Sequence, residues 1–133
     1  MERRSSCPIS FSLDLLGDRW TLLVVRDLAL KGKRTFSELH QSDEGIATNI
    51  LSDRLARLEE RGVLTKERDP EDRRRFRYGL TDAGKALLPV LVELIVWGAT
   101  HDPKTDAPQS FVDEARTRRG RLLQRLRRNL EDE

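Results

Sequence analysis

Residues Thr35–Gly62 read TFSELHQSDEGIATNILSDRLARLEERG, and this stretch decides the fold. Thr35 and Glu38 have the spacing of a capping box, in which the threonine caps a helix and the glutamate three residues on reaches back to the cap. Phe36 and Leu39 then face inward on a short helix. Ser42-Asp43-Glu44-Gly45 is polar and ends in glycine, which predicts a turn. A longer helix is expected over Ala47–Arg61, because Leu51, Leu55 and Leu58 recur at i, i+4 and i+7 as a narrow apolar stripe. Gly62 supplies its stop. A short helix, a tight turn and a second helix make a helix-turn-helix.

The flanking sequence extends this unit in both directions. Downstream, residues 63–68 and 76–80 have strand character, and Asp69-Pro70-Glu71-Asp72-Arg73-Arg74-Arg75 between them reads as a charged hairpin tip, a wing. Upstream, Cys7 caps a helix with Pro8 at its first position and Gly17 at its end. Asp18 caps a second helix running to Gly32, in which Trp20, Leu23, Val24 and Leu28 repeat at helical spacing. Thr81 caps a helix rich in Leu87, Leu88, Leu91, Leu94, Ile95 and Trp97; Pro89 lies inside it and should kink it. Two prolines mark a linker over residues 101–108, and one last helix is expected over Ser110–Leu130. The fold class is mainly α with a small β-hairpin (α+β). It comprises a winged helix-turn-helix domain over residues 1–100 and a C-terminal dimerisation helix within 109–133.

Composition narrows the functional classes. The 133 residues suffice for one domain with a core. No apolar run is read as reaching the roughly 18 residues of a membrane span, nor does a secretory signal precede Cys7, so a cytoplasmic protein without a membrane partner is expected. His40 and His101 are far apart and Cys7 is the only cysteine, so no metal site, cofactor site or disulfide framework is expected within the chain. With no Ser/His/Asp set or phosphate-binding glycine loop, an enzyme is not expected. Net charge is only +2, but arginine supplies 20 of the 25 basic residues and clusters at Arg73, Arg74, Arg75 and Arg77. The planar guanidinium fork matches phosphate and guanine.

Double-stranded DNA is therefore the expected partner. Thr48, Asn49 and Ser52 are short polar residues near the start of the second helix of the motif, suited to a major groove that admits a helix. Asparagine pairs bidentately with adenine. Arg54 and Arg57 lie further on, spaced for phosphate, and Asp53 is expected to meet cytosine or pair with Arg57 one turn on. Arg73, Arg74 and Arg75 at the wing tip can reach a minor groove, with Asp72 bracing Arg74. The competing reading is a winged-helix module for protein–protein association, which needs no basic recognition face.

Many short signals in order also resemble the HxlR-type regulators: Cys7-Pro8-Ile9; Leu13-Asp14-Leu15-Leu16-Gly17-Asp18-Arg19-Trp20-Thr21-Leu22-Leu23; Arg34-Thr35-Phe36-Ser37-Glu38-Leu39; Leu51-Ser52-Asp53-Arg54-Leu55; Leu58-Glu59-Glu60-Arg61-Gly62-Val63-Leu64; and Leu80-Thr81, Gly84, Pro89-Val90-Leu91 and Trp97-Gly98. The likeness runs from about residue 7 to 98. It implies a homodimeric repressor or activator, with repression the expectation taken, and dimer contacts through the first and C-terminal helices. A two-fold dimer predicts an inverted-repeat operator with half-sites roughly 34–36 Å apart. Ala47 stands where the family commonly has a serine or threonine cap, and the wing from Asp72 to Thr81 is more similar to the related MarR family. Cys7 holds the position some family members use to sense oxidants or electrophiles. Its place at a helix N-terminus near Arg3 and Arg4 favours thiol reactivity. The effector is unknown.

Overall fold

The computed structural model describes residues 4–131, so Arg3 and the last two residues lie outside it. The order of elements is α1 (Pro8–Leu16), α2 (Thr21–Leu30), α3 (Phe36–His40), α4 (Thr48–Glu60), β1 (Leu64–Arg68), β2 (Phe76–Leu80), α5 (Asp82–Lys85), α6 (Leu88–His101), α7 (Gln109–Thr117) and α8 (Arg119–Glu131). The two strands pair antiparallel, with Leu64 opposite Leu80 and Arg68 opposite Phe76. A single bridge between Thr35 and Arg77 adds the segment before α3 to the edge of this hairpin. The Tyr78 N–H donates to the Arg34 carbonyl there (2.7 Å). The base of the wing is thereby tied to the start of the helix-turn-helix, a link the sequence reading did not foresee.

α2 is the central helix. Val24, Val25 and Leu28 are buried against Leu39 of α3, Leu51, Leu55 and Leu58 of α4, Leu64, Tyr78, and Leu88 and Leu91 of α6. Side chains of this kind, fully buried, each contribute roughly 1.5–3 kcal/mol. Asp18 caps as expected in part: its carboxylate accepts the Thr21 N–H (3.0 Å), although the helix proper starts at Thr21. Gly32, Gly45 and Gly62 follow α2, the α3–α4 turn and α4 with φ of 68°, 73° and 74°, values that glycine adopts without steric cost.

Three expectations are corrected. Pro89 does not kink a long helix, because the helix is broken before it. α5 ends at Lys85, α6 begins at Leu88, and Pro89 sits in the first turn, where its missing N–H would have had no partner. The expected single helix over Ser110–Leu130 is two, broken at Arg118 (φ −140°, ψ 46°). The break lets both apolar stripes fold back: Val112, Ala115 and Leu122 are buried, and Leu123, Leu126 and Leu130 pack on the α2 core. The C-terminal segment thereby lays its apolar stripes on its own chain. Arg119, at the start of α8, forms an ion pair with Glu93 of α6.

Hydropathy also departs from the expectation. The stretch Asp82–His101 is 20 residues long with mean hydropathy 1.5, enough by length and composition to cross a membrane, and 22% of it is buried. Its apolar run is longer than the sequence reading allowed, because α5 and α6 are counted together. Core helices of soluble proteins meet the same criterion.

Candidate nucleic-acid interface

The site is assembled from α3, α4 and the wing. The capping box before α3 is formed: the Glu38 N–H donates to Thr35 Oγ1 (3.2 Å), and the Thr35 and Arg34 N–H groups donate to Glu38 Oε1 (3.0 Å each). Those backbone donors hold the Glu38 carboxyl below its ordinary range. Ala47 has extended backbone and occupies the cap position of α4 without a side-chain hydrogen bond. The first N–H groups of α4 are thus not claimed by a cap, and they carry the positive end of the helix dipole.

Thr48, Asn49, Ser52 and Asp53 are all exposed along one side of α4, opposite the buried Leu51, Leu55 and Leu58. Between this side and the wing lies a cleft of about 660 Å³. Ser37 and His40 of α3, Ser52 and Glu59 of α4, Lys66 of β1, and Arg74 and Arg75 of the wing line it. The structure therefore brings Ser52 together with Arg74 and Arg75. Thr48, Asn49 and Asp53 lie on the same helix outside the lining, and Arg73 is exposed at the wing tip.

The two helix arginines are placed differently from the sequence expectation. Arg54 is mostly buried: its guanidinium pairs with Asp18 at the α1–α2 junction and with Asp53 (2.5 Å). Burial pushes the Asp18 carboxyl up, but hydrogen bonds from Thr21 and Arg54 outweigh it and hold the group below its ordinary range. Arg57 donates to the Asp14 carbonyl (3.4 Å). The expected Asp53–Arg57 pair is therefore replaced by Asp53–Arg54, because α1 and the α1–α2 junction supply acceptors to the arginines of α4 that no local spacing reveals.

The wing tip is built as expected and more tightly. The Arg74 Nε–Asp72 pair forms at 3.3 Å with the arginine side chain 91% exposed. The Glu71 N–H donates to Asp69 Oδ1 (2.8 Å) and the Arg74 N–H to Asp72 Oδ1 (3.1 Å), two turns that each use an aspartate as acceptor. Arg68 donates to the Arg73 carbonyl (2.6 Å) and stacks over Phe76 with Lys66 on the same ring (4.8 and 4.3 Å to the centroid). Lys66, Ser37 and His40 were not foreseen as cleft residues. The signal for Lys66 was strand alternation, which puts Leu64, Lys66 and Arg68 on one face.

Among the described residues no group of three or more His, Cys, Asp or Glu side chains could hold a metal ion. Cys7 is exposed at the head of α1, with extended backbone and no side-chain capping bond. Its N–H donates to Ser5 Oγ (3.2 Å).

A helix-turn-helix tied to a two-stranded wing, with polar groups on the second helix and arginines on the hairpin tip, defines a winged-helix DNA-binding protein. The model of the HxlR-like helix-turn-helix matches residues 15–106, and the chain belongs to this family. It is 39% identical over 98 residues to YvaP of Bacillus subtilis (strain 168), an uncharacterised HTH-type transcriptional regulator, covering 73% of this chain and 90% of that protein. It is 38% identical over 97 residues to Rv3095 of Mycobacterium tuberculosis (strain ATCC 25618 / H37Rv), another such regulator, covering 73% of this chain but 60% of that protein. The solved structure of PA1607, a proposed transcription factor, superposes with a TM-score of 0.71 at 38% identity, covering 80% of this chain and 74% of that one. The reduced form of the regulator YodB from B. subtilis gives 0.59 at 28% identity over 77% of this chain and all of that one. The redox regulator HypR in its oxidised form gives 0.61 at 27% identity over 76% of this chain and all of that one. The family and these relatives are DNA-binding transcriptional regulators of the helix-turn-helix type and not enzymes.

Proposed function

We propose that this regulator acts in the cytoplasm as a homodimeric repressor on an inverted-repeat operator. α4 enters the major groove, and Arg73, Arg74 and Arg75 of the wing meet the flanking phosphates or minor groove. The observation that carries the reading is the shared cleft, where Ser52 of the exposed α4 side faces Arg74 and Arg75. In this reading Thr48, Asn49, Ser52 and Asp53 meet base edges or nearby phosphates. Arg54 and Arg57 serve first to fix α4 against α1 and α2, and reach phosphate only by exchanging those acceptors. Dimerisation is supported by apolar side chains left exposed on two helices: Ile9, Phe11 and Leu13 on α1, and Val90, Leu94 and Trp97 on α6. Large apolar side chains left exposed on these helices are the kind of surface that an interface covers.

The experiment is a salt titration of binding to DNA fragments selected from random duplexes. Affinity should fall with a log–log slope of about −0.9 per neutralised phosphate. Arg74→Ala should weaken all sequences together, and Asn49→Ala should relax sequence preference by about 1–3 kcal/mol at one base pair. If both variants bind like the parent, the groove assignment is wrong.

A second reading is redox control through Cys7. It is supported by the exposure of this thiol at the head of α1 and by the likeness to YodB and HypR, the latter described as a redox regulator. In it, an oxidant such as diamide takes two electrons and two protons from the Cys7 thiols of two subunits and leaves an S–S bond between them. Operator binding should then change on diamide treatment and recover with dithiothreitol, and Cys7→Ser should not respond. Unchanged affinity with Cys7 demonstrably oxidised would remove this reading.

A further inference from the structure

The basic residues of the C-terminal segment are divided in a way the winged helix does not use. Residues 118–128 hold six arginines and no acidic residue. Two of the six pair outside the segment's own groove: Arg119 with Glu93, and Arg127 with Asp82 (3.4 Å) and Glu131 (3.6 Å). The other four, Arg118, Arg121, Arg125 and Arg128, line one groove of about 310 Å³ together with Glu114 and Gln124. Arg125 is held there by a two-pronged pair to Glu114 (2.6 and 2.7 Å), and its hydrogen bonds, with smaller help from the charges of Arg118 and Arg121, keep the Glu114 carboxyl below its ordinary range. Arg118, Arg121 and Arg128 are exposed and hold no ion pair among the described residues. Four arginines against one glutamate leave the groove at +3. None of these side chains lines the cleft between α4 and the wing, and all lie beyond the part of the chain that the family model matches.

We propose that this groove is a second nucleic-acid contact, which binds the phosphate backbone of DNA outside the α4 and wing footprint. The idea rests on the DNA-binding reading above and adds a surface to it. The chemistry of the lining selects the partner. Protein interfaces centre on apolar or aromatic anchors, and this groove has no apolar side chain. Phosphate recognition needs only donors and charge, and the guanidinium fork supplies both. The dimensions agree as well. From Arg121 to Arg128 α8 advances about 10 Å, along which one DNA strand presents about three phosphates. The other face of the helix is committed to the core through Leu122, Leu123 and Leu126, so α8 offers its arginines from a fixed platform.

The test uses the full chain with Arg118, Arg121 and Arg128 all changed to alanine, and in a second variant all changed to lysine. Binding to a mixed-sequence duplex of about 40 base pairs, longer than two half-sites one turn apart, is followed by fluorescence anisotropy against sodium chloride. The alanine variant should lose about 2.7 from the log–log slope per subunit, three phosphates at about 0.9 each. The lysine variant, which keeps the charges, should retain most of the slope. Thermal melting at the parent's temperature shows that the alanine variant is folded. A parent-like slope in the folded alanine variant overturns the proposal and leaves the groove to an acidic protein. If the parent itself binds no duplex, the DNA-binding reading fails and this contact with it, a result distinct from a failure of the groove alone.

Discussion

Glu44→Gln tests what holds the helix-turn-helix against the central helix. Glu44 lies in the turn between α3 and α4, and its two oxygens accept both terminal nitrogens of Arg26 on α2 (2.7 and 2.8 Å). Ser42 donates to the same carboxylate (2.7 Å). The hydrogen bonds from Arg26 hold the Glu44 carboxyl down at about 2, from an ordinary 4.5. A shift of that size corresponds to about 3.4 kcal/mol at full value. The Glu44 side chain is 35% exposed, so screening by water reduces the expected contribution to about 1.5 kcal/mol. Arg26 keeps Asp27, which is buried and bonded at 2.8 Å, so the substitution does not strand a buried charge. The folded-state value is depressed, so the stabilisation is complete above 4.5 and is lost as the pH falls through 2. Urea unfolding followed by circular dichroism should show the variant about 1.5 kcal/mol less stable at pH 7. The gap should close progressively between about pH 5 and pH 2. A gap that stays constant across this range would show that the charge pair is not its origin.

Two further substitutions probe the packing behind the site. At Gly84 an added Cβ would lie 2.3 Å from the Val63 carbonyl oxygen and 2.9 Å from the Leu80 side chain. Gly84→Ala should therefore cost about 2 kcal/mol or more, read from the urea midpoint, and a variant as stable as the parent would refute this close approach of α5 to the wing base. Leu94→Asp puts a charge on the exposed apolar side of α6. It should convert the proposed homodimer to folded monomer in sedimentation at micromolar concentration, whereas a variant as dimeric as the parent would move the interface elsewhere.

The order of elements was legible because each carries its own local signal. The Thr35–Glu38 box, the leucine spacing of α4 and the glycines after α2 and α4 act within a turn of the residues concerned. The breaks at Ala86–Leu87 and at Arg118 were not legible, since periodicity runs through both. At the first, Pro89 is accommodated by starting a new helix. At the second, Ala115 packs with Val92 of α6 while Leu130 packs on the α2-centred core, and one straight helix would have to serve both. The Thr35–Arg77 bridge was likewise invisible, because it joins segments with no shared pattern.

The site shows the same division with a functional consequence. Exposure of Thr48, Asn49 and Ser52 followed from the position of the leucine stripe, since whatever is not on the stripe faces out. The fate of a charged side chain does not follow from periodicity, because an arginine reaches any acceptor that the fold brings near. Local spacing offers Asp53 to Arg57, yet Asp53 sits beside Arg54, and Asp18, 36 residues away, completes that pair. Arg54 thereby ties α4 to the junction at which Asp18 also caps α2 through Thr21. One carboxylate thus sets both the start of the central helix and the seat of the helix proposed to enter the groove. A basic residue on such a helix need not be a DNA contact: in the proposed complex the wing presents Arg74, whose side chain stays 91% exposed while its Nε pairs with Asp72, and Arg54 instead holds α4 against the junction where Asp18 lies.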